Sequence, residues 1–472
     1  MDLHRSPEER TIIGRGCWSL DVTELTLQVK FAVPMVLTNA SYYIIPLVSV
    51  MFAGRLGDVE LAGSTLANSW AVVTAFAIAI GLSGSLETLC GQNYGARQYG
   101  MLGLHLQASM IISFLFSIPI SMLWIYSEPL LLLLHQDPET SRMASVYLRY
   151  LIPGIFAYAF LQCILRFLQT QGAFVPLAVC SLLPLLLHVG LTYLTVHVWG
   201  LGYIGAPLSA VISLWISLFM LVFYVHFSTR FRFTWQGLSM ECFDHIIPNL
   251  RLAIPSAVMV CLEFWAFEVL VLLAGLLPDS QTSTSVIAMC VATETVVYTI
   301  IFGLAAVVST RVSNELGNGN PDRAKNAVAT TLQLSIAMAA LVVLMLLLGH
   351  NIWANFFSES ILINAEFAKM TPLLATSLLL DSAQGILSGV ARGCGYQHLA
   401  AWTNLGSFYI IGTPLSVILS FVLGLHDKGL WIGLICGLSC QTCTLVLITI
   451  RTDWNNLNLF VDKKETDALL VS

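Results

Sequence analysis

Long apolar segments separated by short polar ones extend along almost the whole chain. A helix needs about 20 mostly apolar residues to cross the hydrocarbon core of a bilayer, and twelve runs reach that length. These runs lie near residues 27–53, 66–90, 103–125, 145–166, 175–197, 203–227, 247–275, 285–310, 327–349, 365–391, 399–424 and 429–450. The fourth and the tenth are the least uniformly apolar. The pattern predicts an all-α polytopic membrane protein with twelve transmembrane helices.

A polar stretch divides the twelve runs into two groups of six. We therefore expect an N-terminal tail, a first lobe, a linker, a second lobe and a C-terminal tail. Their boundaries are 1–26, 27–227, 228–246, 247–450 and 451–472.

The two groups of six resemble each other at an offset of about 221 residues. Lys30-Phe-Ala-Val-Pro34 matches Arg251-Leu-Ala-Ile-Pro255, and the run that begins at Gly81 matches the run that begins at Gly303. Matching positions in these runs are Thr88 with Thr310, Gln92 with Asn314, and Gly95 with Gly317. Six spans is an even number, so the halves share one orientation, and such parallel repeats usually have substrate sites between them. The repeat favours a carrier that rocks between two openings over a rigid pore.

Basic residues predict the orientation, because Lys and Arg accumulate in cytoplasmic loops. Twelve spans place both termini on one side, and that side carries fourteen basic residues. They are Arg5, Arg10, Arg15, Arg97, Arg166, Arg230, Arg232, Arg311, Arg323, Lys325, Arg392, Arg451, Lys463 and Lys464. The loops of the other side hold only Arg55, Arg142 and Lys428. We therefore expect both termini to be cytoplasmic, and the polar first 25 residues do not have the pattern of a signal peptide.

The composition agrees with a bilayer environment and excludes several classes of protein. Hydrophobic residues make up 57% of the chain and charged residues 10%, against roughly 25% charged in a soluble domain. A basic nucleic-acid-binding surface is not available at a net charge of −6. Most of the eleven cysteines lie in apolar runs, where they behave as small apolar side chains. The single CxxC pair, Cys440 to Cys443, has no second pair that would complete a zinc site.

Other transport and catalytic classes fit less well. An ATP-driven pump needs a GxxxxGK[ST] phosphate loop, and the chain contains no Gly-Lys dipeptide. A membrane enzyme needs a polar catalytic cluster in a loop, which the longest loops lack. A major-facilitator carrier fits the number of spans but not the loop Gly91–Arg97, and a channel fits the buried acids but not the repeat. The sequence predicts a secondary transporter that is not an enzyme and needs no cofactor or metal.

Five motifs are distributed over nearly the whole chain: Pro34, Gly54-Arg-Leu-Gly57, Glu87-Thr-Leu-Cys-Gly-Gln-Asn-Tyr-Gly95, Ser309-Thr-Arg-Val-Ser-Asn-Glu-Leu-Gly317 and Ser388-Gly-Val-Ala-Arg-Gly-Cys-Gly-Tyr-Gln397. They resemble the motifs of the MATE (multidrug and toxic compound extrusion) transporters. The third and fourth are similar to the plant detoxification branch. The resemblance implies two pseudo-symmetric six-helix lobes in a V around a central cavity. It also implies export of organic, often cationic, xenobiotics or secondary metabolites in exchange for H⁺ or Na⁺.

Independently of any family, four carboxyl groups lie at membrane depth in the second half: Glu263, Glu268, Glu294 and Asp381. A carboxylate at a helix centre costs about 2.5–3.5 kcal/mol on insertion scales, so it usually faces a cavity or a partner. The repeat places Tyr42 and Ala159 at the positions of Glu263 and Asp381. Burial disfavours the charged form of a carboxyl group, so we expect the second lobe to handle protons.

The expected coupling and substrate site consists of Glu263, Asp381, Glu268, Glu294, Gln384 and Tyr298. On an ideal helix Glu263 and Glu268 differ by about 140° in direction, so both are not expected to face one narrow site. Glu268 would then line a portal or pair with a loop. Gln384 lies on nearly the same helix face as Asp381, and Tyr298 on that of Glu294.

The resemblance assigns roles to two of these acids and leaves a third without a match. It implies that Glu263, the first of two glutamates five apart, and Asp381, eleven before Arg392, take part in coupling. It places the corresponding polar residue of the eighth span at Ala292, so Glu294 departs from the pattern.

Further side chains are candidates for gating or for substrate contact. Glu87 lies near the predicted cytoplasmic end of its span, and Pro34 and Pro255 are expected to mark kinks used in opening. Aromatic residues that could hold an organic cation, or simply pack, are Trp265, Phe264, Tyr42, Tyr43 and Tyr298. The histidines expected to be core residues are His105, His188 and His197.

These observations together predict an H⁺-coupled antiporter that exports organic compounds. Na⁺ coupling stays open because carboxylates can hold either ion, and a carrier of another family or a channel remains an alternative. The expected partners are a small organic substrate and the lipid bilayer, and the chain is expected to act as a monomer. Plasma membrane and vacuolar membrane are both open.

Overall fold

The computed structural model describes residues 22–358, 360–455 and 457, and this part of the chain is almost entirely helical with no strand. All twelve predicted spans are present as helices long and apolar enough to cross a membrane. We number them α1 Val22–Gly54, α2 Asp58–Gly95, α3 Tyr99–Ile125, α4 Pro138–Thr170, α5 Phe174–Val198, α6 Gly202–Phe227, α7 Met240–Ala274, α8 Gln281–Gly317, α9 Pro321–Phe357, α10 Ile361–Cys394, α11 Gln397–Val422 and α12 His426–Arg451. A short helix, Ser127–Leu133, lies between α3 and α4.

The helices are longer than the apolar runs that predicted them. Hydropathy detects only the part embedded in hydrocarbon, whereas the backbone continues its hydrogen bonding into the polar flanks. The α1 helix begins at Val22, inside the expected tail, and the 3₁₀ turn Met240–His245 begins α7 inside the expected linker. The basic residues Arg5, Arg10, Arg15, Lys463 and Lys464 lie outside the described residues.

Residues at the helix ends explain where α4 begins and where α10 ends. Asp137 accepts a hydrogen bond from the backbone N–H of Thr140 at 2.9 Å, and Pro138 occupies the first turn of α4, where its missing N–H costs nothing. The α10 helix stops at Gly395, whose φ of 86° is a left-handed conformation that glycine adopts without strain.

Besides α7, which begins with a 3₁₀ turn, four spans are not regular α-helices throughout. The α2 helix contains a π-helical turn at Val72–Phe76, and α5 ends in one at Leu194–Val198. Two more turns of this kind lie in α11, at Leu405–Gly412 and Ile418–Val422. The α6 helix starts with the 3₁₀ turn Gly202–Ile204.

The twelve spans form two pseudo-symmetric six-helix lobes, α1–α6 and α7–α12. Between the lobes α1 packs against α8, and α2 packs against α7. The two contacts are equivalent by the internal repeat, because α1 of the first lobe corresponds to α7 of the second, and α2 to α8. The most buried spans are α4 and α10, which are also repeat-equivalent, and their polar residues made them the least uniform apolar runs.

Small residues allow the closest helix contacts. Along α10, Gly385, Gly389 and Gly393 recur every four residues, and a Cβ on the second would lie 2.5 Å from the carbonyl oxygen of Ala305 in α8. Such small-residue faces let membrane helices approach closely. The ten described cysteines are all free.

Candidate functional site

A cavity of about 340 Å³ lies between the two lobes and receives residues from both. The α1, α2, α4 and α6 helices line it on the first lobe, and α7, α8 and α10 on the second. The lobes meet on the side where Val22 and Arg451 lie, which we call the terminal side. The lining residues of α1, α2 and α7 extend from mid-helix away from that side, so the lobes diverge in a V.

At the second-lobe wall, one amide joins two carboxylates. The Nε2 of Gln384 donates to Oε1 of Glu263 at 2.7 Å and to Oδ1 of Asp381 at 3.0 Å. Ser388 donates to the Oε1 of Gln384 at 3.0 Å, which fixes the amide so that its two N–H groups point at the acids. The two acids come from different helices, α7 and α10, and are 5% and 3% exposed.

The second glutamate of α7 lines the same cavity, contrary to the expectation that the two would not share one site. The 140° between Glu263 and Glu268 excludes a narrow site, but the cavity covers a broad arc of α7 that also includes Phe264 and Phe267. Glu263 is buried, whereas Glu268 is partly exposed. The width of the cavity therefore places both acids at one site in different environments.

Glu294 lies in the cavity wall and is bonded away from the Gln384 amide. Its Oε2 accepts a hydrogen bond from Ser377 at 3.1 Å, and Trp431 of α12 donates to the same serine oxygen at 3.1 Å. The Oε1 of Glu294 is buried and has no hydrogen-bond partner among the residues that the structure describes. This acid is therefore available for a further proton or ligand interaction.

Aromatic rings line the cavity next to the acids. Tyr298 lies beside Glu263 and stacks on Phe302 with a centroid distance of 5.7 Å. Phe264, Tyr42 and Tyr43 also line the cavity. Trp265 does not, since it lies at the lobe boundary and donates to the carbonyl of Val73 at 3.0 Å.

Glu87 lies at the centre of a buried ion cluster on the terminal side of the cavity. Its Oε1 lies 2.9 Å from Nη1 of Arg166, and its Oε2 accepts from Nε of Arg392 at 3.0 Å. The ring of Phe302 lies against both guanidinium groups, at 5.3 Å and 5.6 Å. Arg166 and Glu87 belong to the first lobe and Arg392 to the second, so the cluster joins the lobes.

The two arginines of this cluster correct the sequence-based interpretation. Arg166 and Arg392 were expected among the cytoplasmic loop charges, but they are 2% and 4% exposed. The α4 and α10 helices continue past them, to Thr170 and Cys394. The sequence signal was present, because Arg392 follows Gln384 and Ser388 on one helix face at intervals of four.

The terminal side is closed by reciprocal hydrogen bonds between residues at equivalent positions of the two repeats. The Nε2 of Gln92 donates to the carbonyl of Gly393 in α10, at 3.4 Å. Its counterpart Asn314 donates to the carbonyl of Thr170 in α4, at 3.0 Å. Each lobe thus bonds the end of the fourth helix of the other. The Thr88 hydroxyl also donates to the carbonyl of Arg392.

The two prolines that were expected to mark kinks lie next to this interface. Pro34 precedes Val36, which packs on Gly303, and Pro255 precedes Ala257, which packs on Gly81. These contacts are again repeat-equivalent, so each proline lies just before a lobe crossing.

The histidine with the clearest environment is a core residue. His188 lies between Ser49 at 3.1 Å and Ser213 at 2.9 Å inside the first lobe. Among the residues that the structure describes, no group of three or more His, Cys, Asp or Glu could hold a metal ion.

Comparisons with known proteins agree with this architecture. The MatE family model matches residues 34–194 and 255–418, two segments that begin 221 residues apart. The protein DETOXIFICATION 18 of Arabidopsis thaliana is 55% identical over 438 residues, covering 93% of each chain. DETOXIFICATION 16 of the same plant is 43% identical over 432 residues, covering 92% of this chain and 89% of its own.

Solved structures show the same similarity in three dimensions. A crystal structure described as that of the eukaryotic MATE transporter AtDTX14 matches with a TM-score of 0.90 and 37% identity. The match covers 93% of this chain and 98% of that one. A MOP superfamily transporter from Pyrococcus furiosus matches with a TM-score of 0.82 at 18% identity, covering 92% and 96%, which shows the shared fold alone.

Proposed function

Because this chain belongs to the MATE family of transporters, we propose that it is an antiporter that exports organic compounds in exchange for protons. Family membership makes it a transporter rather than an enzyme, with no cofactor. The proton coupling and the direction of transport are our proposal. The observation that carries it is the single amide of Gln384 shared by the carboxylates of Glu263 and Asp381.

The shared amide supports a proton-binding site. One amide supplies two N–H donors, one for each acid, so neither carboxylate receives the several donors that a fully ionised buried group needs. Two carboxylates that meet at one nitrogen repel each other when both are charged. Binding of one proton removes this repulsion and provides an O–H donor for the pair.

The charges at the centre of the spans support the same proposal. Arg166 and Arg392 are both bonded to Glu87, which leaves a surplus of one positive charge in that cluster. Glu263, Asp381 and Glu294 are buried nearby with three possible negative charges. Uptake of a proton by this group brings the buried charges closer to balance.

The shape of the cavity supports alternating access. The basic residues of the sequence favour a cytoplasmic terminal side, so the lobes are closed toward the cytoplasm and diverge on the opposite side. Rocking of the lobes would expose the cavity to the cytoplasm for loading. A proton then drives return only if the two arrangements hold it with different affinity. The cavity lies within one chain, which supports function as a monomer in either the plasma or the vacuolar membrane.

The test is transport by the purified protein in lipid vesicles, with the fluorescent cation ethidium as the probe. With an acidic interior, we expect proton efflux to drive ethidium uptake by the unmodified protein. Glu263→Gln and Asp381→Asn, made separately, are each expected to lose this uptake, because an amide in place of one carboxyl group removes the pair that shares the proton. Glu241→Gln, an exposed acid of the 3₁₀ turn that begins α7, is the control and should transport normally.

Three outcomes separate the alternatives. Loss of uptake in both carboxylate variants, with elution as a folded monomer on size exclusion, supports the proposal. Uptake that follows an imposed Na⁺ gradient instead of the pH gradient assigns the site to Na⁺. Gradient-driven uptake that persists in both variants contradicts the role of these acids.

A further inference from the structure

The guanidinium group of Arg392 lies at the contact between the lobes, on the terminal side of the carboxylate pair. On its own helix, Gln384 bonds both acids, Ser388 bonds Gln384, and Arg392 follows one turn later. Across the cavity wall, Tyr298 lies beside Glu263 and stacks on Phe302, whose ring contacts Arg392. The ring contacts therefore connect Arg392 to Glu263, and on α10 Arg392 shares a helix face with Ser388 and Gln384.

Separation of the lobes on the terminal side would divide the ion cluster in one particular way. Glu87 and Arg166 both belong to the first lobe and would stay together as a neutral pair. Arg392 belongs to the second lobe and would lose Glu87, the carboxylate that it bonds in the described part of the chain, while keeping its place near Glu263. This buried cation of the second lobe would then have Glu263 as its nearest acidic partner.

We propose that Arg392 is a positioning residue of the transport cycle, which exchanges Glu87 for Glu263 of the carboxylate pair when the terminal side opens. This inference rests on the proposed proton coupling and adds a mechanism for the direction of proton release. Held by Glu87 in the closed arrangement, Arg392 leaves the acids free to bind a proton from the open side. When Arg392 is released from Glu87, its positive charge favours the ionised form of the second-lobe acids. The proton therefore leaves on the newly opened side.

The groups around Arg392 set the sign of this effect. Those that face it are Glu87 from α2, Arg166 from α4, Glu263 from α7 and Tyr298 from α8. Asp381 lies three helical turns before it on α10 and is joined to Glu263 through Gln384. Glu294 of α8 adds its charge next to Asp381. Asp427 of α12 lies beside Glu366 near the start of α10, at the opposite end of that helix from Arg392.

Two opposite substitutions test the proposal through the pH dependence of counterflow, measured at equal pH on both sides of the vesicle. Arg392→Gln removes the cation and leaves Glu87 and Arg166 neutral together, so the acids should keep their proton to a higher pH. Glu87→Gln leaves the guanidinium groups of Arg166 and Arg392 without a compensating carboxylate, so the acids should release their proton at a lower pH. Each shift of the half-maximal pH is expected to be about one unit, the lower end of the effect of a nearby opposite charge on a carboxyl group.

The opposite signs distinguish this role from a merely structural lock. Both substitutions break the same ion pair between the lobes, so a lock alone would shift the two profiles in the same direction. Arg392→Lys keeps the charge and should restore most of the normal profile. Profiles of Arg392→Gln and Glu87→Gln that shift together, or not at all, would overturn the proposal.

A pair of double variants keeps the test decisive if Glu87→Gln alone does not fold. Glu87→Gln with Arg166→Gln leaves only Arg392, and Glu87→Gln with Arg392→Gln leaves only Arg166. The two have the same net charge and differ only in the lobe that retains the cation. We expect the second to be half-maximal at a pH about one unit higher than the first, and equal values would refute the proposal.

Another ion pair between the lobes provides a matched control. Arg311 of α8 bonds Glu24 of α1 through two nitrogens, at 2.9 Å and 3.0 Å, but has no contact with the carboxylate pair. Arg311→Gln should leave the pH profile unchanged. A shift like that of Arg392→Gln would contradict the proposal. Gradient-driven uptake with unmoved profiles would refute this inference alone, whereas uptake that ignores the pH gradient would refute the proposed function with it.

Discussion

Substitution of Gly95 or Gly317 by alanine is expected to weaken the closure of the terminal side. These glycines are repeat-equivalent, and each lies against the backbone of the opposite lobe. A Cβ on Gly95 would lie 2.0 Å from the carbonyl oxygen of Asn314, and a Cβ on Gly317 would lie 2.0 Å from that of Gln92.

The magnitude follows from these distances. Carbon and carbonyl oxygen approach no closer than roughly 3.3 Å even in favourable contacts, so the lobes must separate by about 1.3 Å at this point. The opposing atoms are backbone and cannot rotate away, and overpacking of this kind costs about 1–3 kcal/mol. If the open arrangement is free of the clash, the closed-to-open ratio falls by about 5- to 150-fold.

The assay is a distance measurement between two spin labels on the terminal side. Cysteines at Tyr99 and Asn318, one exposed residue from each lobe, would carry the labels after the exposed Cys443 is replaced by serine. We expect the distance distribution of Gly95→Ala and of Gly317→Ala to gain a longer component at the expense of the closed one.

A helical glycine with open surroundings serves as the control. Around the Cβ position of Gly349 in α9, no other described residue has a heavy atom within 4 Å, apart from the adjoining residues and backbone of its own helix. Gly349→Ala should therefore leave the distances unchanged. Closed distances in both interface variants, with ordinary thermal stability, would refute the packing argument.

Two further predictions concern single hydrogen-bond networks. Gln384→Leu removes the amide shared by Glu263 and Asp381, and should abolish pH-driven uptake in the vesicle assay while the variant still elutes as a folded monomer; normal coupling would contradict the role of the amide. The backbone N–H and the hydroxyl of Thr140 lower the pKa of Asp137 at the start of α4. Its capping contribution is thus complete above the unfolded-state pKa of about 3.9 and is lost as the pH falls through the lowered value. Amide exchange in the first turn should accelerate there, and Asp137→Ala should remove that dependence.

Hydropathy and the repeat were sufficient to predict the architecture. Every predicted span is a helix, because insertion depends on the summed transfer free energy of about 20 consecutive residues, which is a local property of the chain. The 221-residue offset also predicted the equivalence of Gln92 with Asn314 and of Gly95 with Gly317. The structure shows these pairs as reciprocal contacts between the lobes.

The candidate site was only partly accessible from the sequence. Buried acids are recognisable because a carboxyl group in an apolar run has few structural explanations. Their partners are not, and the width of the cavity that holds both Glu263 and Glu268 could not be read from one helix. The place of Trp265 could not be predicted either, because an aromatic residue type does not reveal whether the side chain lines the cavity or lies at the lobe boundary.

The sequence by itself determined the twelve helices, their grouping into two lobes and the lobe that carries the acids, since each depends on residue type along the chain. Only the tertiary structure decided which charges meet. Arg166 and Arg392 look like flanking cytoplasmic residues in the sequence, because a basic residue at the end of an apolar run normally reaches water. Glu87 and Arg392, separated by 305 positions, bond only because the two lobes bring α2, α4 and α10 together. A contact of that kind depends on how helices pack, which no local pattern of polarity specifies.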